Sequence, residues 1–178
     1  LTGGPNHDVW IKDCLADDGS VPSYFNCGTP GPSGFNDSPD IWIDNNFDGI
    51  ADAPVTNNAW NYFFAKVRNG GTSSAPLTTV RFYDLSAYGM APPRPYPTPL
   101  SNSSWSAALV SSNPVFAFGP GDSALTWFTT FLGSATTPYP PTLGVYVSTA
   151  TDTAGWSGDV GWENNIAVCS GRDFYFKA

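Results

Sequence analysis

A chain of 178 residues with 41% hydrophobic and 15% aromatic residues can bury one substantial core, as expected of a single domain or a domain with an extension. Charged residues are only 12%, about half the usual share, and the net charge is −8. Polarity rests instead on Ser, Thr, Asn, Gly and Pro, which argues for short strands and tight turns and against a helical cytosolic enzyme.

The acidic residues crowd the first part of the chain: Asp8, Asp13, Asp17, Asp18, Asp37, Asp40, Asp44, Asp48 and Asp52, with Lys12 the one base among them. Such a segment repels phosphate, so nucleic acid and anionic membrane surfaces are excluded as ordinary partners and cations are favoured. No apolar stretch approaches a membrane span, and no leader is recognisable. The first residue is Leu rather than Met, which fits a processed N-terminus or a piece of a longer chain.

In chain order, the first element is Asp8–Asp13, DVWIKD. Its alternation sets Val9 and Ile11 against Trp10 and Lys12, the pattern of a strand. It closely matches Asp40–Asn45, DIWIDN. Between the two copies, residues 15–39 are rich in Gly, Pro, Ser and Asp and read as an irregular linker, too long for an ordinary connection. The expected organisation is a strand segment at 1–13, a linker at 14–37 and a sandwich at 38–178.

Three cysteines occur, Cys14, Cys27 and Cys169, with no CxxC pair, so zinc or dithiol redox chemistry has little support. In a secreted chain Cys14 and Cys27 could close a short loop, the expected bond. Pairing of either with Cys169 is equally open to the sequence.

Residues 44–52, DNNFDGIAD, place oxygen-bearing side chains at loop positions 1, 3, 5 and 9 and Gly at 6. This matches the start of a calcium loop, with Asp44, Asn46, Asp48, the Ile50 carbonyl and Asp52 as ligands. Position 12 is Val55 rather than a bidentate Glu, so the loop is not a complete EF-hand. The competing reading is a polar turn. Crowding of like charges favours a cation there, and calcium is the cofactor expected.

Asn61–Arg68, NYFFAKVR, alternates Phe63, Ala65 and Val67 against Tyr62, Phe64, Lys66 and Arg68. After Asn69-Gly70-Gly71, Thr78–Tyr83 resumes the pattern. Two such runs across a Gly-rich connection predict adjacent antiparallel strands. Further strands are expected at 105–110, 115–118, 125–132, 143–148, 165–169 and 173–177, separated by turns that include Asn113-Pro114 and Gly119-Pro120-Gly121. Ala91–Pro99 is a proline-rich loop.

The stock of catalytic groups is thin. His7 is the only histidine and Glu163 the only glutamate, and neither a phosphate loop nor HExxH occurs. The expectation is that the chain is not an enzyme; an Asp-based hydrolase is the weakest reading. Seven tryptophans are expected mainly in core packing, with a sugar platform as the alternative. Asn36 and Asn102 fit the N-glycosylation pattern.

The order DVWIKD, Asp17-Asp18-Gly19 with Pro22, SPDIWI, the Asp/Asn-rich loop and AKVRNGG resembles Ig-like segments of large secreted bacterial proteins. The strand reading VRN-G is similar to that of the cell-adhesion-related bacterial (CARDB) domains, as is the late Asn164-Asn165-Ile166-Ala167. The resemblance covers most of 8–83 and 164–169. It implies an extracellular sandwich, adhesion or assembly roles, and no catalytic residues to carry over.

The expected fold is all-β, an immunoglobulin-like antiparallel β-sandwich with an N-terminal strand extension. The expected function is a structural subunit of an extracellular, cell-surface fibre of pilus type. Asp8, Val9, Trp10, Ile11 and Lys12 would insert into a neighbouring copy by donor-strand exchange, so that the partners are copies of the chain itself. The alternative is a calcium-stabilised adhesive or carbohydrate-binding module with glycan contact.

Overall fold

Alternation from Ala59 to Asn69 builds the longest strand of the computed structural model, which describes residues 7–12, 14–17, 38–52, 59–84, 109–132, 142–150 and 165–169. The strands are β1 (Val9–Trp10), β2 (Ile41–Ile43), β3 (Ala59–Asn69), β4 (Thr78–Asp84), β5 (Leu109–Val115), β6 (Ser123–Leu132), β7 (Leu143–Ser148) and β8 (Ile166–Cys169). They form two antiparallel sheets. In one, β3 pairs with β6 on one side and with both β1 and β2 on the other; in the second the order is β5-β4-β7-β8. The chain is an immunoglobulin-like β-sandwich.

The inward residues of both sheets meet in one core. Val9, Ile11, Ile41, Ile43, Phe63, Ala65 and Val67 from the first sheet face Val80, Phe82, Val145, Val147 and Ala167 from the second. Phe128 on β6 stacks on Phe63 at 5.4 Å and meets Phe82 at 4.7 Å. This is the inward half of the period-2 pattern.

Two sequence expectations are corrected here. The runs flanking Asn69-Gly70-Gly71 are not adjacent strands: β3 and β4 lie in opposite sheets. β3 is occupied on both sides by β1, β2 and β6, and the Asn69 side chain bridges the sheets' ends instead. Its Nδ2 donates to the carbonyls of Ser73 and Gly119 at 2.9 and 3.1 Å, and its Oδ1 accepts from Gly71 N–H at 3.0 Å. Asn113-Pro114 is likewise no turn but part of β5. β5 is an edge strand, where a residue without an N–H is tolerated. The expected strand at 173–177, the proline-rich loop, Asn36 and Asn102 lie outside the described residues.

The N-terminal segment does not stand apart from the sandwich. β1 pairs with β3 of its own chain, Val9 opposite Asn69 and Trp10 opposite Arg68. β2 pairs with the same side of β3, Ile41 opposite Ala65 and Ile43 opposite Phe63. Continued inward, both ladders reach Lys66. DVWIKD and DIWIDN are therefore two halves of one sheet edge, interrupted by the excursion through 13–37. Their matching sequences answer a shared demand: apolar Val9, Ile11, Ile41 and Ile43 inward, and Trp10 and Trp42 outward.

Candidate functional site

The residues singled out by sequence gather on the outer face of the first sheet and along its split edge. At the split, Asp40 is the organising group. It is nearly fully buried and takes a bidentate pair of bonds from Arg68, Nε and Nη2 each at 2.7 Å. It also accepts the Lys12 N–H at 3.1 Å. Ser38 Oγ donates to the Lys12 carbonyl and accepts from Asp40 N–H. Charge-assisted forks of this kind are stronger than neutral bonds. The hydrogen bond to Asp40 raises the Arg68 pKa above its ordinary value, and burial opposes the rise. Trp10 lies over the Arg68 guanidinium at 5.6 Å, a cation–π contact.

All five residues expected to form an assembly strand are used within the chain. Asp8 accepts Gly70 N–H through its carbonyl at 2.9 Å, Val9 and Ile11 are fully buried, Trp10 covers Arg68, and Lys12 donates its backbone N–H to Asp40. Asn165, buried before β8, donates its Nδ2 to the carbonyls of Val9 at 2.8 Å and Val147 at 3.2 Å. His7 Nε2 bonds Thr149 Oγ1 at 3.0 Å. The strand so joins both sheets, and the lone histidine serves as one of its ties. Cys14 is disulfide-bonded, whereas Cys169 is a buried thiol in β8; Cys27 lies outside the described residues.

The 44–52 loop makes the turn that Gly49 anticipated, with φ of 82° at Gly49 and 62° at Phe47. Its carboxylates are turned onto the loop's own amides. Asp44 accepts the N–H groups of Asp48 at 3.2 Å and Gly49 at 2.9 Å, Asp52 accepts that of Asn45 at 2.7 Å, and Asp48 accepts that of Ile50 at 2.8 Å. Asn46 bonds Asp48. Among the described residues no three His, Cys, Asp or Glu side chains converge as a metal site. Asp44, Asn46, Asp48, Ile50 and Asp52 share the loop, and Asp44, Asp48 and Asp52 hold its amides.

Tryptophan corrects the expectation of core packing in part. Of the described tryptophans Trp10 is buried, and none joins the cluster between the sheets. Trp42 stacks on Phe64 at 5.6 Å, and Phe47 packs edge-on against Tyr62 and Trp127 at 4.7 and 5.9 Å. Trp60 is 60% and Trp127 45% exposed. Strand parity explains this: Trp60, Tyr62 and Phe64 alternate with inward residues on β3, and Trp127 pairs opposite Phe64. Sequence composition alone cannot assign a face to an aromatic; register can.

Beside this aromatic shelf lies a groove of about 480 Å³ walled by Lys12, Leu15, Asp40, Trp42, Lys66 and Arg68. Among the described residues no acceptor meets the buried Trp42 Nε1–H. The groove was not legible beforehand, because Lys12 and Lys66 become neighbours only through the split edge. On the second sheet, burial pushes the Tyr83 phenol up to about 12.

No protein-family model matches the chain, and no curated protein matches it. Among solved structures it is similar to the CARDB domain of the PF1109 protein from Pyrococcus furiosus in complex with di-metal ions. The identity is 16%, the coverage 73% of this chain and 88% of that one, and the TM-score 0.41. The solution structure of the same CARDB domain gives 15% identity, 74% and 93% coverage, and a TM-score of 0.39.

Proposed function

We propose that this chain is a non-catalytic structural module of an extracellular protein, an immunoglobulin-like sandwich closed by its own N-terminal strand. The observation that carries the reading is the seat of residues 8–12. Val9 and Ile11 are fully buried in the chain's own core, and the strand is tied to both sheets. A sandwich that completes its own edge serves as a rigid spacer or display unit and protects that edge from stray pairing. The disulfide at Cys14 supports an oxidising, extracellular setting. The single histidine is spent on a structural bond, which supports a role without acid–base chemistry.

Polymerisation by strand exchange is the second reading, favoured by one observation. Residues 13–37 separate β1 from the edge it continues, so residues 8–12 could make the same bonds on a neighbouring copy. The intrachain seat ranks it below the closed module. A calcium ion on the 44–52 loop would be an addition to a turn that already closes itself.

Light scattering on the full chain tests the choice. The closed module gives a single-chain mass of 18.9 kDa over a wide concentration range. Polymers that disappear on deletion of residues 1–12 would overturn it in favour of exchange.

A further inference from the structure

The outer face of the first sheet changes character along β3. At the Arg68 end, three of the chain's seven Lys and Arg residues, Lys12, Lys66 and Arg68, line one groove in a molecule whose net charge is −8. Among the described residues the one carboxylate lining the groove, Asp40, is held by Arg68, and Asp17 also acts on Arg68. Among the described residues, Lys12 and Lys66 have no carboxylate within salt-bridge range. Three cationic side chains set against Asp40 and Asp17 leave this concavity with an excess of positive charge on an acidic chain, the electrostatics of an anion site.

Toward the Phe64 end the groove runs into the aromatic shelf. Trp42 belongs to both, lining the groove and stacking on Phe64. Phe64, Lys66 and Arg68 alternate outward along one strand, about 7 Å apart, and Trp127 flanks Phe64 on β6. The groove's volume of about 480 Å³ lies in the range of ligand sites. Aromatic planes accept the apolar faces of pyranose rings, whereas ammoniums accept carboxylates. A ligand that uses both is a chain of sugar rings bearing carboxylate groups.

We propose that this groove and the shelf beside it bind an acidic polysaccharide. Lys12 and Lys66 meet its carboxylates, and Trp42 and Trp127 support its rings. The site does not depend on how the N-terminal strand is exchanged, because Lys12 sits in the groove whenever the edge is filled.

Calorimetric titration with oligomers of polygalacturonate tests the proposal, with a neutral cello-oligosaccharide of equal length and poly-glutamate as the other arms. Polygalacturonate binds, and the neutral oligomer and poly-glutamate bind about tenfold more weakly or less, since each omits one of the two contributions. The Lys12→Gln/Lys66→Gln variant loses about tenfold in affinity for polygalacturonate, and Trp127→Ala loses severalfold, with the circular dichroism of both unchanged. Absence of binding to polygalacturonate overturns the proposal. So does equal binding of either control polymer, or unchanged affinity in a folded lysine variant.

Discussion

Asp40→Ala is the perturbation that reaches the greatest part of the structure through one side chain. It removes both guanidinium bonds of Arg68 and the acceptor for the Lys12 N–H. Removing one partner of a fully buried pair costs about 3–5 kcal/mol. Here the Arg68 side chain is 26% exposed, so water recovers part of that loss. The exposed-pair limit is below about 1 kcal/mol, and an intermediate value near 2 is appropriate. An orphaned Lys12 N–H adds about 1 kcal/mol. The expected total is roughly 2–3 kcal/mol, or a fall in Tm of about 4–12 °C for a chain of this length. Asp40→Asn, which keeps an acceptor for Lys12 but not the charge, is expected to lose about half as much. Urea denaturation followed by circular dichroism measures both, and a cycle with Arg68→Gln isolates the coupling. A loss under about 0.5 kcal/mol for Asp40→Ala would show that the fork behaves as a surface pair and would refute the account of the split edge.

The loop and the core make three further predictions. Asp44→Ala lowers stability by about 1–3 kcal/mol in chelator and in calcium alike, because Asp44 serves the Asp48 and Gly49 amides. A penalty confined to calcium buffer would instead make the carboxylate an ion ligand. Asn165→Ala removes a buried side-chain donor shared by the Val9 and Val147 carbonyls and costs about 1–3 kcal/mol, read from the urea midpoint. Tyr83, held at about 12 in the fold, is raised above its unfolded value near 10. Its contribution is therefore intact below pH 10 and is lost as pH rises from about 10 through about 12. Denaturation across that window shows a fall that Tyr83→Phe reduces; an identical slope in the variant contradicts the assignment.

Alternation was enough to place β3, β4, β6 and β7, since the period of two survives in NYFFAKVR and its fellows. It could not say which strands pair. The Gly-rich link after Asn69 looks like a hairpin, yet Asn69 spends its side chain on the 70–77 and 118–122 segments and directs β4 to the other sheet. The repeat of DVWIKD in DIWIDN was visible as similarity, but its meaning lay in register: two segments answering one strand. The Asp-rich loop revealed its turn, through Gly49, but not the orientation of its carboxylates. The tryptophans were assigned inward by residue type, whereas their strand positions send Trp42, Trp60 and Trp127 outward.

The central claim is that residues 8–12 occupy the edge of their own chain, and a covalent trap reads it directly. Asp8 and Gly70 are joined by a backbone hydrogen bond, and a Cβ built on Gly70 lies 3.3 Å from the Asp8 carboxylate. The Asp8→Cys/Gly70→Cys variant, oxidised and run on a non-reducing denaturing gel, is expected to give a single-chain band whose cross-link is internal to one chain by peptide mapping. A ladder of covalent multimers joined through the same two positions would contradict the account.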